Sequence, residues 1–332
     1  MNLEKIYKIL EDQPKYRIQQ VKDAIFKTLA SNWSDVSNIS KELKAKLNKE
    51  CPLEINGQIF SSKSTRTIKA LITLADGLQI ETVLLSHKDG RHTVCVSTQV
   101  GCPLRCKFCA TGKLGLKRNL EVGEMLEQVL FFSRLLKQEN MRVSNVVFMG
   151  MGEPFLNYSK TIKAIHYLNE DLLIGARHIS VSTSGLIPGI EKLSREKMQI
   201  NLAVSLHAPN QKLRSDLMPI SKRFPLDSLL KAVDKYIGKT GRRVMFEYLM
   251  IKGVNDSPEL ARELAGLMNK PLYVVNLIAY NPTDVFRPSD KRTIENFRGI
   301  LEKEGVAVTQ RYSFGQDIDA ACGQLANKGQ CR

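Results

Sequence analysis

Apolar residues recur every three or four positions near the start of the chain, at Ile6, Ile9 and Leu10 and again at Val21, Ala24, Ile25 and Leu29, with lysine and glutamate filling the other faces. This period predicts amphipathic helices and a small helical domain over residues 1–60. From about residue 66 the period shortens to that of strands. Apolar runs at 68–74, 80–84 and 93–96 are separated by Asp76-Gly77 and Asp89-Gly90, which are turn dipeptides. The pattern predicts an antiparallel meander, with residues 61–90 as a β-hairpin extension.

Past residue 100, short apolar stretches at 143–149, 178–183, 200–206, 243–250, 272–279 and 306–312 alternate with helical patterns at 122–136, 159–168, 226–237, 258–268 and 290–304. Such β-then-α alternation implies an α/β fold with a parallel sheet and right-handed crossovers. If the sheet curls, residues 91–332 form a partial (β/α)6 barrel. Polar residues at the carboxyl ends of its strands then converge on one mouth: Gly152 and Glu153, Ser182, Ser205 with Leu206 and His207, and Asn281.

Composition narrows the class. The chain has 332 residues, 43% of them hydrophobic, which suits a folded protein rather than a disordered one. The charged start, Met1-Asn2-Leu3-Glu4-Lys5, and the absence of any long apolar run lead us to expect a cytoplasmic protein without a secretory signal or membrane span. A formal net charge of +15 makes nucleic acid the leading partner, beside the plainer reading of a generic basic surface. Lys113, Lys117 and Arg118, then Lys222 and Arg223, then Arg242 and Arg243, are basic clusters near the motifs below.

Seven cysteines are too few and too odd in number for a disulfide scaffold, which favours metal or catalytic roles. Cys102, Cys106 and Cys109 are spaced C-x3-C-x2-C, a set that can hold three irons of a 4Fe–4S cluster and leave the fourth open. With Phe108 just before the last cysteine, the motif points to an open iron that chelates S-adenosylmethionine (SAM). A zinc site would want a fourth ligand close by, yet no His or Cys follows within about twenty residues. A chance group of buried thiols is the remaining alternative.

Gly150-Met151-Gly152-Glu153-Pro154 ends an apolar run with two glycines that let backbone approach a ligand, and a carboxylate that could accept from the amine of methionine. Read alone it is equally a tight turn. Ser182, Ser205 and Asn281 could bond a carboxylate, ribose or adenine edge, or simply cap strand ends. A lone histidine such as His207 is more often structural than catalytic. Taken singly, Cys95 and Cys322 read as inert core thiols.

Together these segments resemble the RlmN/Cfr family of radical SAM RNA methyltransferases. The similarity runs over 93–101 and the three-cysteine loop, Gly150 to Pro154, 182–185, 205–210 and Asp317-Ile318-Asp319-Ala320-Ala321-Cys322-Gly323-Gln324-Leu325, in order along nearly the whole chain. Pro154 after Gly-Glu resembles the RlmN branch more than the Cfr branch. The resemblance implies a radical-SAM partial barrel in which Cys102, Cys106 and Cys109 bind the cluster. Gly152, Glu153, Ser182, Ser205, Leu206, His207 and Asn281 would line the SAM site.

It further implies that Cys322 is methylated by one SAM and that a second supplies a 5′-deoxyadenosyl radical. Cys95 would resolve the covalent protein–RNA adduct, ending as a Cys95–Cys322 disulfide. Glu81, in Glu81-Thr82-Val83, matches an element given a proton-acceptor role. A two-residue turn at Asp89-Gly90 would put Glu81 and Cys95 on opposite faces of the hairpin, and a three-residue loop with a bulge at Gly90 on one face. The implied substrate is an adenine of 23S rRNA in the peptidyl-transferase region, methylated at carbon 2, with a tRNA adenine beside the anticodon as a second substrate in close members. An electron donor, a disulfide reductant and a monomeric state are also expected. Carbon-8 methylation, as in the Cfr branch, and a non-catalytic iron–sulfur RNA-binding factor are the competing readings; the second has no use for Cys95 and Cys322. Cys51 and Cys331 match nothing.

Overall fold

The computed structural model of the chain describes residues 1–283, 285–311 and 314–326. The amino-terminal region forms α1 (Leu3–Ile9), α2 (Tyr16–Lys22), which runs on into a π-turn at Asp23–Lys27, and α3 (Lys41–Glu50). Asn2 and Ser40 cap α1 and α3 through their side chains, each accepting a backbone N–H of the first turn. Leu29, at φ 57°, ends the second helical run. Trp33 is fully buried and donates to the Cys51 carbonyl at 2.8 Å, tying the segment after α2 to the end of α3.

Among the described residues ten strands form one sheet in the order β1 (Gly57–Ser61), β2 (Thr67–Thr73), β3 (Gln79–Ser86), β4 (His92–Cys95), β7 (Asn145–Phe148), β8 (Ile179–Thr183), β9 (Asn201–Ser205), β10 (Val244–Met250), β11 (Tyr273–Ala279) and β12 (Val308–Arg311). The first four are the expected antiparallel meander, which starts earlier than the apolar pattern indicated because the two apolar residues of β1, Ile59 and Phe60, fall on opposite faces and show no alternation. A separate pair, β5 (Gln99–Gly101) and β6 (Leu116–Asn119), brackets the three-cysteine loop and the short α4 (Ala110–Lys113). There follow α5 (Val122–Lys137), β7 (Asn145–Phe148), α6 (Tyr158–Glu170), β8 (Ile179–Thr183), α7 (Ile187–Leu193), β9 (Asn201–Ser205), α8 (Gln211–Leu217) and α9 (Leu226–Thr240). The chain continues through β10 (Val244–Met250), α10 (Pro258–Met268), β11 (Tyr273–Ala279), α11 (Lys291–Lys303) and β12 (Val308–Arg311).

From β4 to β12 every neighbouring pair in the sheet is parallel. The parallel array, β4 and β7 to β12, includes β4 because that strand ends the meander and begins the parallel run. The sheet curls: Arg311, the last residue of β12, donates to the Met149 sulfur just beyond β7 at 3.6 Å, across four intervening strands. Apolar residues of α1, α2 and α3 join the same core as α5, α6 and the sheet. Arg134 of α5 bonds the carbonyls of Leu53 and Ala30 at 2.9 and 2.7 Å, and Lys22 pairs with Asp171 at 3.0 Å. No helix among the described residues is long and apolar enough to cross a membrane.

Candidate active site at the mouth of the curled sheet

The three cysteines lie on the loop between β5 and β6, and backbone bonds fix its path. Cys102 N–H reaches the Gly115 carbonyl at 3.0 Å, Cys109 N–H the Cys106 carbonyl at 3.1 Å, and Lys107 N–H the Leu217 carbonyl of α8 at 3.0 Å. All three thiols line one cavity. Burial pushes Cys102 up to about 12. Burial, and then the proximity of Cys109 and Cys102, pushes Cys106 well above the ordinary thiol range. Neutral thiols crowded at one cavity become thiolates when each meets a metal cation. Among the described residues no three His, Cys, Asp or Glu side chains converge on a single ion site. A cluster held by one thiolate to each of three irons fits this donor set better than zinc.

The wall opposite the cysteines comes from the ends of β7, β8, β9 and β10. After β7 the Gly150–Glu153 segment presses on residues 96–99: Gly150 N–H bonds the Val96 carbonyl at 3.1 Å and Thr98 N–H the Met151 carbonyl at 2.8 Å. A Cβ on Gly150 would stand 2.6 Å from Ser97 Oγ, so only glycine allows this approach. Glu153 is buried, its Oε1 accepting Phe155 N–H at 3.1 Å and its Oε2 accepting Ser184 N–H at 2.8 Å. Burial raises its pKa against these bonds.

Gly152, Glu153, Ser182, Ser205 and His207 all line the cavity, whereas Leu206 is fully buried and borders neither cavity, its N–H meeting the Glu247 carbonyl at 3.0 Å. His207, at φ 58°, accepts Leu249 N–H on Nδ1 at 3.1 Å, which leaves the proton on Nε2. Burial, with Arg214 nearby, lowers its pKa to about 3, so the ring is neutral.

A second cavity adjoins the first and is lined by Cys95, Cys109, Asn281, Arg311 and Cys322. Cys322 borders both. Its loop lies across the mouth, held at several points: Ser62 Oγ and Lys63 N–H reach the Asp317 carboxylate at 2.8 and 2.9 Å, Ala110 N–H reaches the Gly323 carbonyl at 2.8 Å, and Thr111 Oγ1 the Leu325 carbonyl at 2.6 Å. Asn281 faces this cavity rather than the first, donating to the Cys322 carbonyl at 3.2 Å and accepting from Gln316 at 2.7 Å. Burial, then Cys322, pushes Cys95 up to about 12, with Arg311 opposing.

The hairpin parity is settled. His87 N–H bonds the Arg91 carbonyl at 2.8 Å, closing a three-residue loop with Gly90 at φ 84°, and Val83 stands directly opposite Cys95. Glu81, two residues from Val83, thus shares the face of Cys95. Its carboxylate nevertheless borders neither cavity: Oε1 pairs with buried Lys69 at 2.9 Å and Oε2 accepts Ala326 N–H at 2.7 Å. The basic clusters also divide. Lys113 donates to the Thr283 carbonyl near the mouth at 3.0 Å, and Arg118 is paired with Asp76 and Glu124. Arg242 and Arg243 precede β10, at the amino end of the parallel strands and away from the site. Cys331 lies outside the described residues.

Among the polar residues in or beside the site that escaped the sequence reading are Glu247, Arg311 and Arg214. Glu247 is buried on β10, beside Ser205 in the β9–β10 register, lines the first cavity and accepts Asn276 Nδ2 at 2.7 Å. Arg311 borders both cavities, its pKa raised by Cys322, then Glu247 and Cys95. Arg214 is fully buried on α8 and interacts electrostatically with Cys106. A lone carboxylate inside the apolar run Val-Met-Phe-Glu-Tyr-Leu-Met was a readable signal for Glu247.

Comparison with known proteins agrees with this geometry. The model of the radical SAM superfamily matches residues 96–265. A protein of Dictyoglomus thermophilum named "Probable dual-specificity RNA methyltransferase RlmN" is 46% identical over 318 residues, covering 94% of this chain and 91% of that protein. A Bacillus thuringiensis protein of the same name is 45% identical over 323 residues, covering 96% and 89%. The crystal structure of a radical SAM methyltransferase from Sphaerobacter thermophilus superposes with a TM-score of 0.94 at 44% identity, over 99% of this chain and 98% of that one. The chain therefore belongs to the radical SAM superfamily and, within it, to the RlmN family of RNA methyltransferases.

Proposed function

We propose that this protein methylates carbon 2 of one adenine in the peptidyl-transferase region of 23S rRNA and, as the dual specificity in its relatives' names suggests, a tRNA adenine beside the anticodon. Carbon 2 of adenine is electron-poor and cannot attack a methyl sulfonium, so a radical route is required. One observation supports it above the others: Cys95 and Cys322 border one cavity with the cluster cysteine Cys109, and Cys322 also borders the neighbouring cavity that all three cluster cysteines line.

When bound through Cys102, Cys106 and Cys109, the 4Fe–4S cluster supplies the electron that cleaves SAM to a 5′-deoxyadenosyl radical. Glu153, Ser182, Ser205 and His207, with backbone at Gly152, would hold SAM, and Asn281 would reach it from the adjoining cavity. Cys322 first takes a methyl group from one SAM and gives up its proton. The S-methyl group then loses a hydrogen atom to the radical from a second SAM, and the methylene radical left on Cys322 adds to the ring.

The adduct would return one electron to the centre that supplied it and pass its ring proton to Cys95, which accepts it as a thiolate. Cys95 would then give a proton to the methylene carbon as its sulfur attacks the Cys322 sulfur and the Cys322 S–CH2 bond breaks, releasing methylated adenine and leaving a Cys95–Cys322 disulfide. An external donor and an external thiol reductant restore the enzyme. Arg311 acts on Cys95 in the direction that favours its anionic sulfur. Glu81 can serve as a proton acceptor only once Ala326 N–H releases its carboxylate.

The test is mass spectrometry of nucleosides from rRNA and tRNA of a bacterial strain lacking this modification and supplied with the protein. The reading predicts 2-methyladenosine. 8-Methyladenosine would overturn the choice of carbon, and unmodified RNA would overturn the enzymatic reading.

A further inference from the structure

Arg214 is among the largest fully buried side chains of the protein, and its charge is not matched by any carboxylate among the described residues. It projects from the middle of α8, a helix joined to the cysteine loop by Lys107 N–H bonding the Leu217 carbonyl at 3.0 Å. Leu213, Leu217 and Met218 of this segment pack in one apolar cluster with Cys106, Phe108 and Cys109. One arm of the guanidinium is used: Nη2 donates to the Ser184 and Ser205 carbonyls at 2.8 and 3.2 Å. Gly185 makes room for it, since a Cβ there would stand 3.0 Å from Nη2.

The other arm is unused. Nε and Nη1 are both buried without a hydrogen-bond partner. Buried orphan donors cost a few kcal/mol, and an uncompensated buried charge costs more, so the fold implies an anionic acceptor at this place. Cys106 is the ionisable side chain that favours the charged guanidinium, whereas His207, which Arg214 also touches electrostatically, is held neutral. Three thiolates gathered on an iron–sulfur core supply such an acceptor, because the thiolate and its neighbouring sulfides are electron-rich and accept N–H hydrogen bonds.

We propose that Arg214 directs its free N–H groups at the Cys106 thiolate and the cluster sulfur beside it, and so raises the reduction potential of the cluster. The inference rests on the assignment of Cys102, Cys106 and Cys109 as cluster ligands. Hydrogen bonds to the sulfurs and the net local charge are two of the levers that set such potentials, and both act here in one direction. A cation and two donors stabilise the reduced, more negative form over the oxidised one. Arg214 is in this sense a positioning residue for electron entry: it does not itself line the cavity, and its Nη2 is held by the carbonyls of Ser184 and Ser205, which do.

The experiment is a spectroelectrochemical titration of the full chain, reconstituted anaerobically, without SAM or RNA, for the natural protein and for Arg214→Met, Arg214→Gln and Arg214→Lys. Iron content and SAM binding by equilibrium dialysis are measured alongside. With iron retained, Arg214→Met should disfavour reduction at least tenfold, a shift of about 59 mV to more negative potential for one electron. Arg214→Lys, which keeps the charge, should recover most of the difference. If Arg214→Met does not load, the proposal still requires Arg214→Gln to fall below Arg214→Lys. Equal potentials in loaded variants would overturn it, as would an unchanged potential with a loss of SAM affinity, which would instead place the guanidinium on the cofactor's carboxylate. Failure of the natural protein to load a cluster would overturn the underlying ligand assignment, a result distinguishable from the others.

Discussion

Gly152→Ala isolates the contact on which the SAM wall depends. The residue has φ 99°, which a side chain rarely adopts, and a Cβ built there would meet Gln99 Cβ at 2.6 Å, Cγ at 2.7 Å and the Gln99 backbone N at 2.9 Å. Backbone strain of this kind costs about 1–3 kcal/mol. Overpacking against a residue that cannot withdraw adds about 1–3 kcal/mol. Gln99 is so held, because it accepts Glu153 N–H at 2.9 Å and donates to Asn119 at 2.7 Å. The sum, roughly 2–6 kcal/mol, corresponds to a drop of about 3–8 °C in Tm for a chain of this length. Gly77→Ala is the control: its φ is 80°, but nothing lies within 4 Å of the added methyl, so it carries the strain without the clash. Differential scanning calorimetry and SAM binding are read for both. Gly152→Ala should lose stability in this range and bind SAM at least tenfold more weakly, and Gly77→Ala should lose less stability and no affinity. Equal losses of stability in the two variants, or unchanged SAM affinity in Gly152→Ala, would refute the claim that this glycine serves close approach at the site.

Two further outcomes follow from charge. His207 has a folded-state pKa of about 3 against an ordinary 6.5, so the unfolded chain binds the extra proton first and stability falls as pH drops from 6.5 towards 3. The contribution is about 1.4 kcal/mol per pH unit, or roughly 2 kcal/mol between pH 6.5 and 5. His207→Asn, which tolerates the positive φ, should flatten the pH dependence of the urea midpoint over that range, and unchanged slopes would count against a neutral buried histidine. RNA affinity should be strongly salt-dependent given the +15 charge. With about six phosphates engaged, the log–log slope is about −4, a loss of roughly 300-fold between about 50 and 200 mM salt, measured by fluorescence anisotropy. A slope shallower than about −1 would remove electrostatics as the main source of binding.

What the sequence disclosed was whatever is local. Three cysteines within eight residues, a Gly-x-Gly-Glu strand end and period-two or period-3.6 apolar runs each carry their meaning in neighbouring positions, and they placed the cluster loop and the parallel array. The misses have physical causes. β1 alternates no apolar face and rests on β2 by backbone pairing, so no pattern marks it. α8 is seven residues long, too short for its period to register, and Arg214 within it reads as an ordinary surface arginine until burial is known. The parity of the β3–β4 hairpin hung on one residue of loop length, decided by the left-handed Gly90. The amino-terminal helices, legible as helices, share their core with α5 and α6, which apolar period alone cannot foresee.

The central claim is that two thiols outside the cluster share one turnover, and Cys95→Ala tests it most directly. Cys95 and Cys322 border one cavity, and removal of Cys95 leaves Cys322, the proposed methyl carrier, and the three cysteines proposed to hold the cluster in place. The measurement is denaturing electrophoresis of Cys95→Ala expressed in cells, with and without ribonuclease, beside Cys322→Ala and the double variant. The account predicts an upward-shifted, ribonuclease-sensitive species in Cys95→Ala that is absent whenever Cys322 is also replaced, and a Cys322→Ala protein that keeps its iron but methylates no adenine. Normal turnover by Cys95→Ala, or a shifted species that persists without Cys322, would contradict it.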